Sequence, residues 1–118
     1  MPTREARCSC RQLRLTVEGE PLAVSICHCL ACQRRTGSAF GMQAGFKSEQ
    51  VSVAGRYSDY SRISDESDRK EHVFHFCPDC GSDVHYEIDG KFDDKFNDLV
   101  AIPLGAFDDH YSLQPRFS

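Results

Sequence analysis

The residues of this chain with the clearest chemical potential are its cysteines, seven among 118 residues. They form three short groups: Cys8-x-Cys10, Cys27-x-Cys29-x-x-Cys32 and Cys77-x-x-Cys80. In a small chain, so many cysteines indicate either a disulfide framework in an oxidising compartment or thiolates that bind metal in a reducing one. The odd count, the knuckle-like spacings and the absence of an export signal in the polar N-terminal segment favour metal, and we expect zinc.

The last pair has the form of a zinc knuckle, Cys77-Pro-Asp-Cys80-Gly81, in which the backbone turns to point both sulfurs at one spot. The proline favours the turn, and Gly81 can adopt a positive φ that lets backbone N–H groups reach the thiolates. A closed tetrahedral site needs two more ligands. Cys8 and Cys10 can supply them, since alternate residues of an extended segment project to one side. We predict a structural zinc site of four thiolates; the alternative is four unrelated buried thiols.

The remaining group, Cys27, Cys29 and Cys32, can present three sulfurs to one ion from a short loop that follows a strand. Three ligands leave the fourth position of a tetrahedral zinc open, where water or a substrate thiol can enter and lose its proton. We therefore predict a second, catalytic zinc here, and two zinc ions per chain. Two alternatives stay open: His28 or a distant histidine could close the site, or the loop could hold a disulfide without metal.

Basic and small residues follow this group directly: Arg34, Arg35, Gly37 and Ser38. Guanidinium groups bind carboxylates in a bidentate geometry, and glycine lets a ligand approach the backbone closely. These four residues are therefore our candidates for binding an anionic substrate, with ordinary solvated charges as the alternative. No role is assigned to the scattered histidines His72, His75, His85 and His110.

Apolar residues that alternate with polar ones indicate the strands that must position these cysteines. The alternation is clearest at Leu13 to Val17 and at Val84 to Ile88, and further strands are expected at 22–26, 51–53, 73–76 and 99–104. The strands before and after Cys77-x-x-Cys80 should be joined across the knuckle, with an Asp89-Gly90 turn after the second one. The polar stretch 57–70 should in part be a solvated loop, with Tyr57, Tyr60 and Ile63 as its anchors.

Length and composition suit one folded domain spanning 1–118. We expect a mainly β fold of two or more packed antiparallel sheets with little helix, in which zinc joins distant parts of the chain. A formal net charge of −4 and the lack of a long basic run argue against nucleic acid as a partner. No apolar run has the length needed to cross a bilayer. We therefore expect a cytoplasmic protein without a membrane partner, and the sequence predicts no oligomeric state.

Three separated motifs together resemble one known family. Cys8-Ser-Cys10, the segment from Cys27 to Ser38 and Phe76-Cys-Pro-Asp-Cys-Gly-Ser82 agree in order and spacing with the glutathione-dependent formaldehyde-activating enzyme family, which includes centromere protein V. The resemblance covers about Cys8 to Asp109. It implies an Mss4-like β fold, with a structural zinc at the first and last cysteine pairs and a second zinc at the three central cysteines.

The resemblance also implies an activity: condensation of formaldehyde with glutathione to S-(hydroxymethyl)glutathione, or the reverse cleavage, which is a carbon-sulfur lyase reaction. The partner expected on this basis is glutathione or another small thiol or thiohemiacetal. The sequence shows no dedicated general base. The alternative is a non-catalytic zinc module that binds glutathione or a protein partner.

Overall fold

The computed structural model describes residues 2–63, 71–88, 99–109 and 113. Within them lie nine strands, one α-helix and two short 3₁₀ helices at Ser48–Gln50 and Leu104–Ala106. The strands are β1 (Thr3–Arg7), β2 (Arg14–Glu18), β3 (Ala23–Cys27), β4 (Gly41–Lys47), β5 (Val51–Ala54), β6 (Ser58–Ile63), β7 (Glu71–Phe76), β8 (Asp83–Ile88) and β9 (Leu99–Pro103), and the helix is α1 (Leu30–Thr36).

The strands form two sheets. One has three strands in the order β1-β2-β5, and the other has six in the order β3-β4-β9-β8-β7-β6. Every pairing in both sheets is antiparallel. The predicted fold class, mainly β with antiparallel sheets and little helix, is therefore confirmed. Within the described residues, no helix is both long enough and apolar enough to cross a membrane.

The main core joins the two sheets. Leu15 and Val17 of β2 are buried in one cluster with Phe46 of β4 and Ile102 of β9, as their alternation with polar residues predicts. Full burial of each such side chain stabilises the fold by about 1.5–3 kcal/mol. Cys77 belongs to the same cluster, so the knuckle is anchored in the main core.

A smaller cluster lies on the other face of the six-stranded sheet. Phe74 of β7, Tyr86 of β8 and Ala101 of β9 pack together there. Their neighbours along β9, Val100 and Ile102, belong to the main core, as expected when successive side chains of a strand point to opposite faces. This second face carries α1 and the candidate catalytic cysteines.

The polar stretch expected to be partly a loop contains a strand. β6 pairs with β7 along six residues, from Ser58↔Phe76 to Ile63↔Glu71, and forms the edge of its sheet. Tyr60 and Ile63 are exposed, so the expectation that they anchor the segment is wrong. An edge strand can be polar because polar and charged side chains keep its open edge from pairing with other chains. Residues 64–70, the Asp89-Gly90 turn and His110 lie outside the described residues.

Candidate metal centres and the adjoining cavity

Four cysteine sulfurs meet where two β-hairpins approach each other. Cys8 and Cys10 lie between β1 and β2, and Cys77 and Cys80 lie between β7 and β8. The Cys10 sulfur is 3.6 Å from that of Cys8 and 3.7 Å from that of Cys77, and all four lie within 4.8 Å of one another. Sulfurs around a tetrahedral zinc, with bonds of about 2.3 Å, are about 3.8 Å apart. This four-sulfur cluster fits a zinc ion.

Donors surround the four-sulfur cluster and offset the charge of its thiolates. The backbone N–H of Leu13 lies 3.3 Å from the Cys8 sulfur, and the Gln12 amide Nε2 lies 3.0 Å from the Cys77 sulfur. Gly81 has a φ of 81°, as the knuckle predicts, and its N–H donates to the Cys77 carbonyl at 2.8 Å. Sequence reasoning missed Gln12, because no pattern marks a glutamine that acts from a turn 65 residues away.

The segment that carries Cys8 and Cys10 is a turn rather than the extended chain we expected. The Arg11 N–H donates to the Cys8 carbonyl at 3.0 Å, and Arg11 has a φ of 71°. A turn places both sulfurs on one side because it closes the β1–β2 hairpin. The two cysteines are therefore brought together by the hairpin, whereas the expectation relied on strand alternation.

The thiol pKa values within this cluster are driven apart. Hydrogen bonds with the hydroxyl and backbone of Ser82 lower the pKa of Cys80 to about 5. A backbone hydrogen bond from Gln12 lowers the pKa of Cys10, but burial and the neighbouring sulfurs outweigh it and raise that pKa to about 12. Adjacent thiols cannot all ionise unless a cation balances their charge. The arrangement therefore suits a bound divalent metal.

The other three cysteines gather where β3 ends and α1 begins. Cys27 is the last residue of β3, Cys29 caps the N-terminus of α1, and Cys32 lies in its first turn. The Cys27 and Cys29 sulfurs are 3.4 Å apart, and all three lie within 4.8 Å of one another. The Cys32 backbone N–H donates to the Cys29 sulfur at 3.4 Å. This three-sulfur cluster also suits a metal ion.

The structure bears on the two alternatives for this cluster. All seven cysteines are described and all are free thiols. Among the described residues, the ligand atoms that gather here are the three sulfurs alone, without a histidine. The His28 ring lies instead against Phe40, with the ring centroids 5.8 Å apart. A metal held here would therefore have three ligands from the described residues.

The pKa values of these thiols also diverge. Burial raises the pKa of Cys32 to about 12, helped by the neighbouring sulfurs. Burial also raises the pKa of Cys29, but the Cys32 N–H, the adjacent sulfurs and the positive charge of Arg62 outweigh it and lower that pKa overall. Arg62, on β6, was not singled out from the sequence, because its position beside the cluster depends on the pairing of an edge strand.

The four candidate substrate residues occupy different environments. Arg34 is exposed on α1, whereas Arg35 points inward and is largely buried. Gly37 ends the helix with a φ of 70°, and its N–H donates to the Gln33 carbonyl. The Ser38 N–H donates to the Thr36 hydroxyl at 3.1 Å. Gly37 and Ser38 thus contribute to the helix end, and Arg34 is the one with a solvent-facing charge.

Arg35 makes a concentrated set of contacts. Its Nη1 lies 2.6 Å from the Asp83 carboxylate, at the start of β8. Its Cζ lies 5.3 Å from the centre of the Phe74 ring and 5.2 Å from that of Tyr86. A side chain at Gly41 would place its Cβ only 3.1 Å from the guanidinium. Arg35 therefore joins α1, which carries Cys32, to the hairpin that carries Cys80.

A cavity of about 490 Å³ lies between α1 and the strands β6 and β7, and its lining includes Ala31, which precedes Cys32 in the chain. Its lining includes Arg34, Arg35, Tyr60, Arg62, Phe74 and Asp83. A broader cavity of about 840 Å³ shares Arg35 and Asp83 with the first and includes Ser38, Gly41 and Ser82. The first has aromatic walls and a basic rim, which suits an organic anion.

Two of the unassigned histidines form a buried pair on the sheet. The His75 and His85 ring centroids are 4.5 Å apart, and His75 bridges the carboxylates of Asp59 at 2.6 Å and Glu87 at 3.1 Å. Nδ1 of His85 is buried, and no described residue forms a hydrogen bond with it. Burial and the adjacent His75 lower the pKa of His85 to about 4. The pair ties β6, β7 and β8 together.

Comparison with known proteins gives two findings. A family model described as glutathione-dependent formaldehyde-activating enzyme matches residues 3–118. A crystal structure of a Rhodobacter sphaeroides protein is similar in fold, with a TM-score of 0.65 and 16% sequence identity, over 97% of this chain and 99% of that one. No curated protein matches the sequence.

Proposed function

The chain belongs to the glutathione-dependent formaldehyde-activating enzyme family, and on this premise we propose that it is a zinc-dependent carbon-sulfur lyase. Its reaction is the reversible addition of glutathione to formaldehyde. The S–H adds across the carbonyl: a sulfur–carbon bond forms, the carbonyl π bond breaks, and the thiol proton ends on oxygen. The product is S-(hydroxymethyl)glutathione. A reducing compartment such as the cytoplasm suits a protein built around seven free thiols.

The observation that carries this proposal is the gathering of three sulfurs at the start of α1, a helix that also lines a basic, aromatic cavity. Cys27, Cys29 and Cys32 would hold a zinc ion, which supplies a Lewis-acidic site where a thiol ionises near neutral pH. The cavity residues orient the rest of the substrate: Arg34 binds a carboxylate, and the Phe74 ring excludes water from one side.

The four-sulfur cluster has a structural role in this proposal. Cys8 and Cys10 bring the β1–β2 hairpin to Cys77 and Cys80, which lie in the connection between β7 and β8. The ion pair between Arg35 and Asp83 then connects α1 to β8, next to this metal site. We infer that one zinc stabilises the fold while the other takes part in the chemistry.

The test is the exchange of ¹³C-formaldehyde with glutathione, followed by NMR on protein that contains two zinc ions per chain. We expect exchange to accelerate in proportion to protein concentration, and Cys29→Ser to return the rate to that of buffer. Arg14→Gln is the matched surface control, because Arg14 is exposed on the other sheet. A wild-type rate equal to the spontaneous one would refute the lyase, and glutathione binding without acceleration would favour the non-catalytic zinc module.

A further inference from the structure

The cavity between α1, β6 and β7 has an unbalanced charge among the residues that the structure describes. Those in its lining carry three guanidinium groups, from Arg34, Arg35 and Arg62, and one carboxylate, from Asp83. The chain as a whole has a formal net charge of −4. A concentration of positive charge against that background favours an anionic ligand.

The three arginines are not equivalent. The Arg35 guanidinium is held by Asp83 at 2.6 Å and lies over two aromatic rings. Its charge is therefore neutralised inside the protein. Within the described part of the chain, Arg34 and Arg62 form no ion pair with a carboxylate. They are the cations that remain available to a ligand.

Arg62 is also held in place. Its Cζ lies 5.4 Å from the centre of the Phe74 ring, and the side chain is partly buried. Stacking on an aromatic face fixes the plane of a guanidinium without using its N–H donors. Arg62 lines the same cavity as Ala31, the residue before Cys32 in α1. Among the residues that the structure describes, no carboxylate takes up the N–H donors that Arg62 presents to the cavity.

From this arrangement we propose that Arg62, together with Arg34, selects thiols that carry carboxylates, and that Arg62 determines this specificity. The inference rests on the proposed function, since it concerns the substrate of the same site. Arg34 lies on α1 and Arg62 on β6, so the two guanidiniums face the cavity from different elements. They suit a ligand with a sulfur near the cluster and carboxylates directed along the cavity. Glutathione has this chemistry, and 2-mercaptoethanol does not.

The aromatic walls support the same substrate class. Phe74 and Phe76 line the cavity together with Tyr60 at its rim. Apolar walls leave the hydrogen bonds of a peptide-like ligand to a few polar groups, which then dominate selectivity. Removing one guanidinium should therefore change the preference between thiols more than it changes thiol binding itself.

The experiment measures the affinities of zinc-loaded full-length protein for three probes by calorimetry: glutathione, 3-mercaptopropionate and 2-mercaptoethanol. We expect Arg62→Gln to weaken glutathione binding roughly tenfold, the size of one lost charge-assisted hydrogen bond. The affinity for 2-mercaptoethanol should stay within about twofold. Arg62→Lys should fall between, because it keeps the charge and loses the fork of donors. Arg14→Gln, on the other sheet, should match wild type.

The outcomes separate the inference from the proposed function. The inference is overturned if the wild type does not prefer the carboxylated thiols, or if Arg62→Gln changes all three affinities equally or none. Zinc content of two per chain in each variant excludes loss of the cluster as the cause. If selectivity behaves as expected while formaldehyde exchange is not accelerated, the lyase proposal fails and the inference stands. If the exchange is accelerated but the wild type does not distinguish the three thiols, the lyase proposal stands and the inference about Arg62 fails.

Discussion

The contact between Arg35 and Asp83 is the most informative place to perturb this protein. The two residues are 48 positions apart, their charged atoms are 2.6 Å apart, and their side chains are only 14% and 26% exposed. Unit charges about 4 Å apart attract by about 4 kcal/mol at an effective dielectric of 20. Desolvation and side-chain entropy offset much of this. We expect a net coupling of about 1–2 kcal/mol.

The individual substitutions should cost more than the coupling. Arg35→Ala also removes the contacts of the guanidinium with the Phe74 and Tyr86 rings, at about 0.5–1 kcal/mol each. It should therefore destabilise the fold by about 3 kcal/mol. Asp83→Asn leaves a largely buried cation without its partner, and should cost about 2 kcal/mol. The double variant should be less destabilised than the sum by the coupling energy.

The assay is urea unfolding at a fixed excess of zinc, combined with chelator competition for the two metals. Loss of Arg35 frees α1 from β8, so we expect the chelator to remove the zinc of the three-sulfur cluster about tenfold more readily. Arg34→Ala is the matched control for stability, because Arg34 is the exposed neighbour on the same helix; it should cost less than about 0.5 kcal/mol. Additive costs within about 0.3 kcal/mol, or equal effects of the two arginines, would refute the reasoning.

Three further predictions concern metals, turns and pH. Cys77→Ser should abolish cooperative unfolding, because a structural zinc contributes about 10 kcal/mol to folding. Cys29→Ser should lose one zinc and keep a cooperative thermal transition. Equal destabilisation by the two substitutions would argue for two structural sites. Gly55 has a φ of 105°, and an added Cβ would lie 2.2 Å from a backbone carbonyl oxygen. At Gly37, with a φ of 70°, an added Cβ would meet no described atom within 4 Å. Gly55→Ala should therefore cost more than about 2 kcal/mol and Gly37→Ala about 1 kcal/mol by urea unfolding; similar costs would contradict the clash. Burial lowers the pKa of His85 from 6.5 to about 4, so its contribution to stability is complete above pH 6.5 and is lost as the pH falls towards 4. His85→Phe should flatten the pH dependence of the unfolding free energy in that window, and an unchanged slope would show that His85 is not the group responsible.

Features encoded in short stretches of sequence could be predicted. The Cys77-x-x-Cys80-Gly81 knuckle depends on local backbone geometry, and Gly81 has the positive φ that this geometry requires. The alternation at Leu15 and Val17 indicates one buried face, and both residues are buried. Each of these patterns is contained within a few consecutive residues, so it can be recognised without knowing which distant residues it contacts.

Features that depend on distant partners could not be predicted. α1 spans only seven residues, and a cysteine rather than a serine or aspartate caps it, so neither a hydrophobic stripe nor a familiar cap marks it. β6 is polar because it lies at a sheet edge. Arg35 and Arg62 have their surroundings only because α1 and β6 come together over Phe74. Arg35 and Arg62 are distant in the sequence, and only the tertiary structure brings them to the same aromatic ring.

The strand order has a consequence for synthesis on the ribosome. β9 is the last of the described strands along the chain, yet it lies between β4 and β8 in the six-stranded sheet. Until Leu99–Pro103 has emerged, β4 and β8 each have an unpaired edge, and such edges can pair with other chains. All four cysteines of the four-sulfur cluster precede β9. Zinc can therefore fasten the two hairpins, about 67 residues apart, while the sheet is still incomplete, and in this way limit aggregation of the nascent chain.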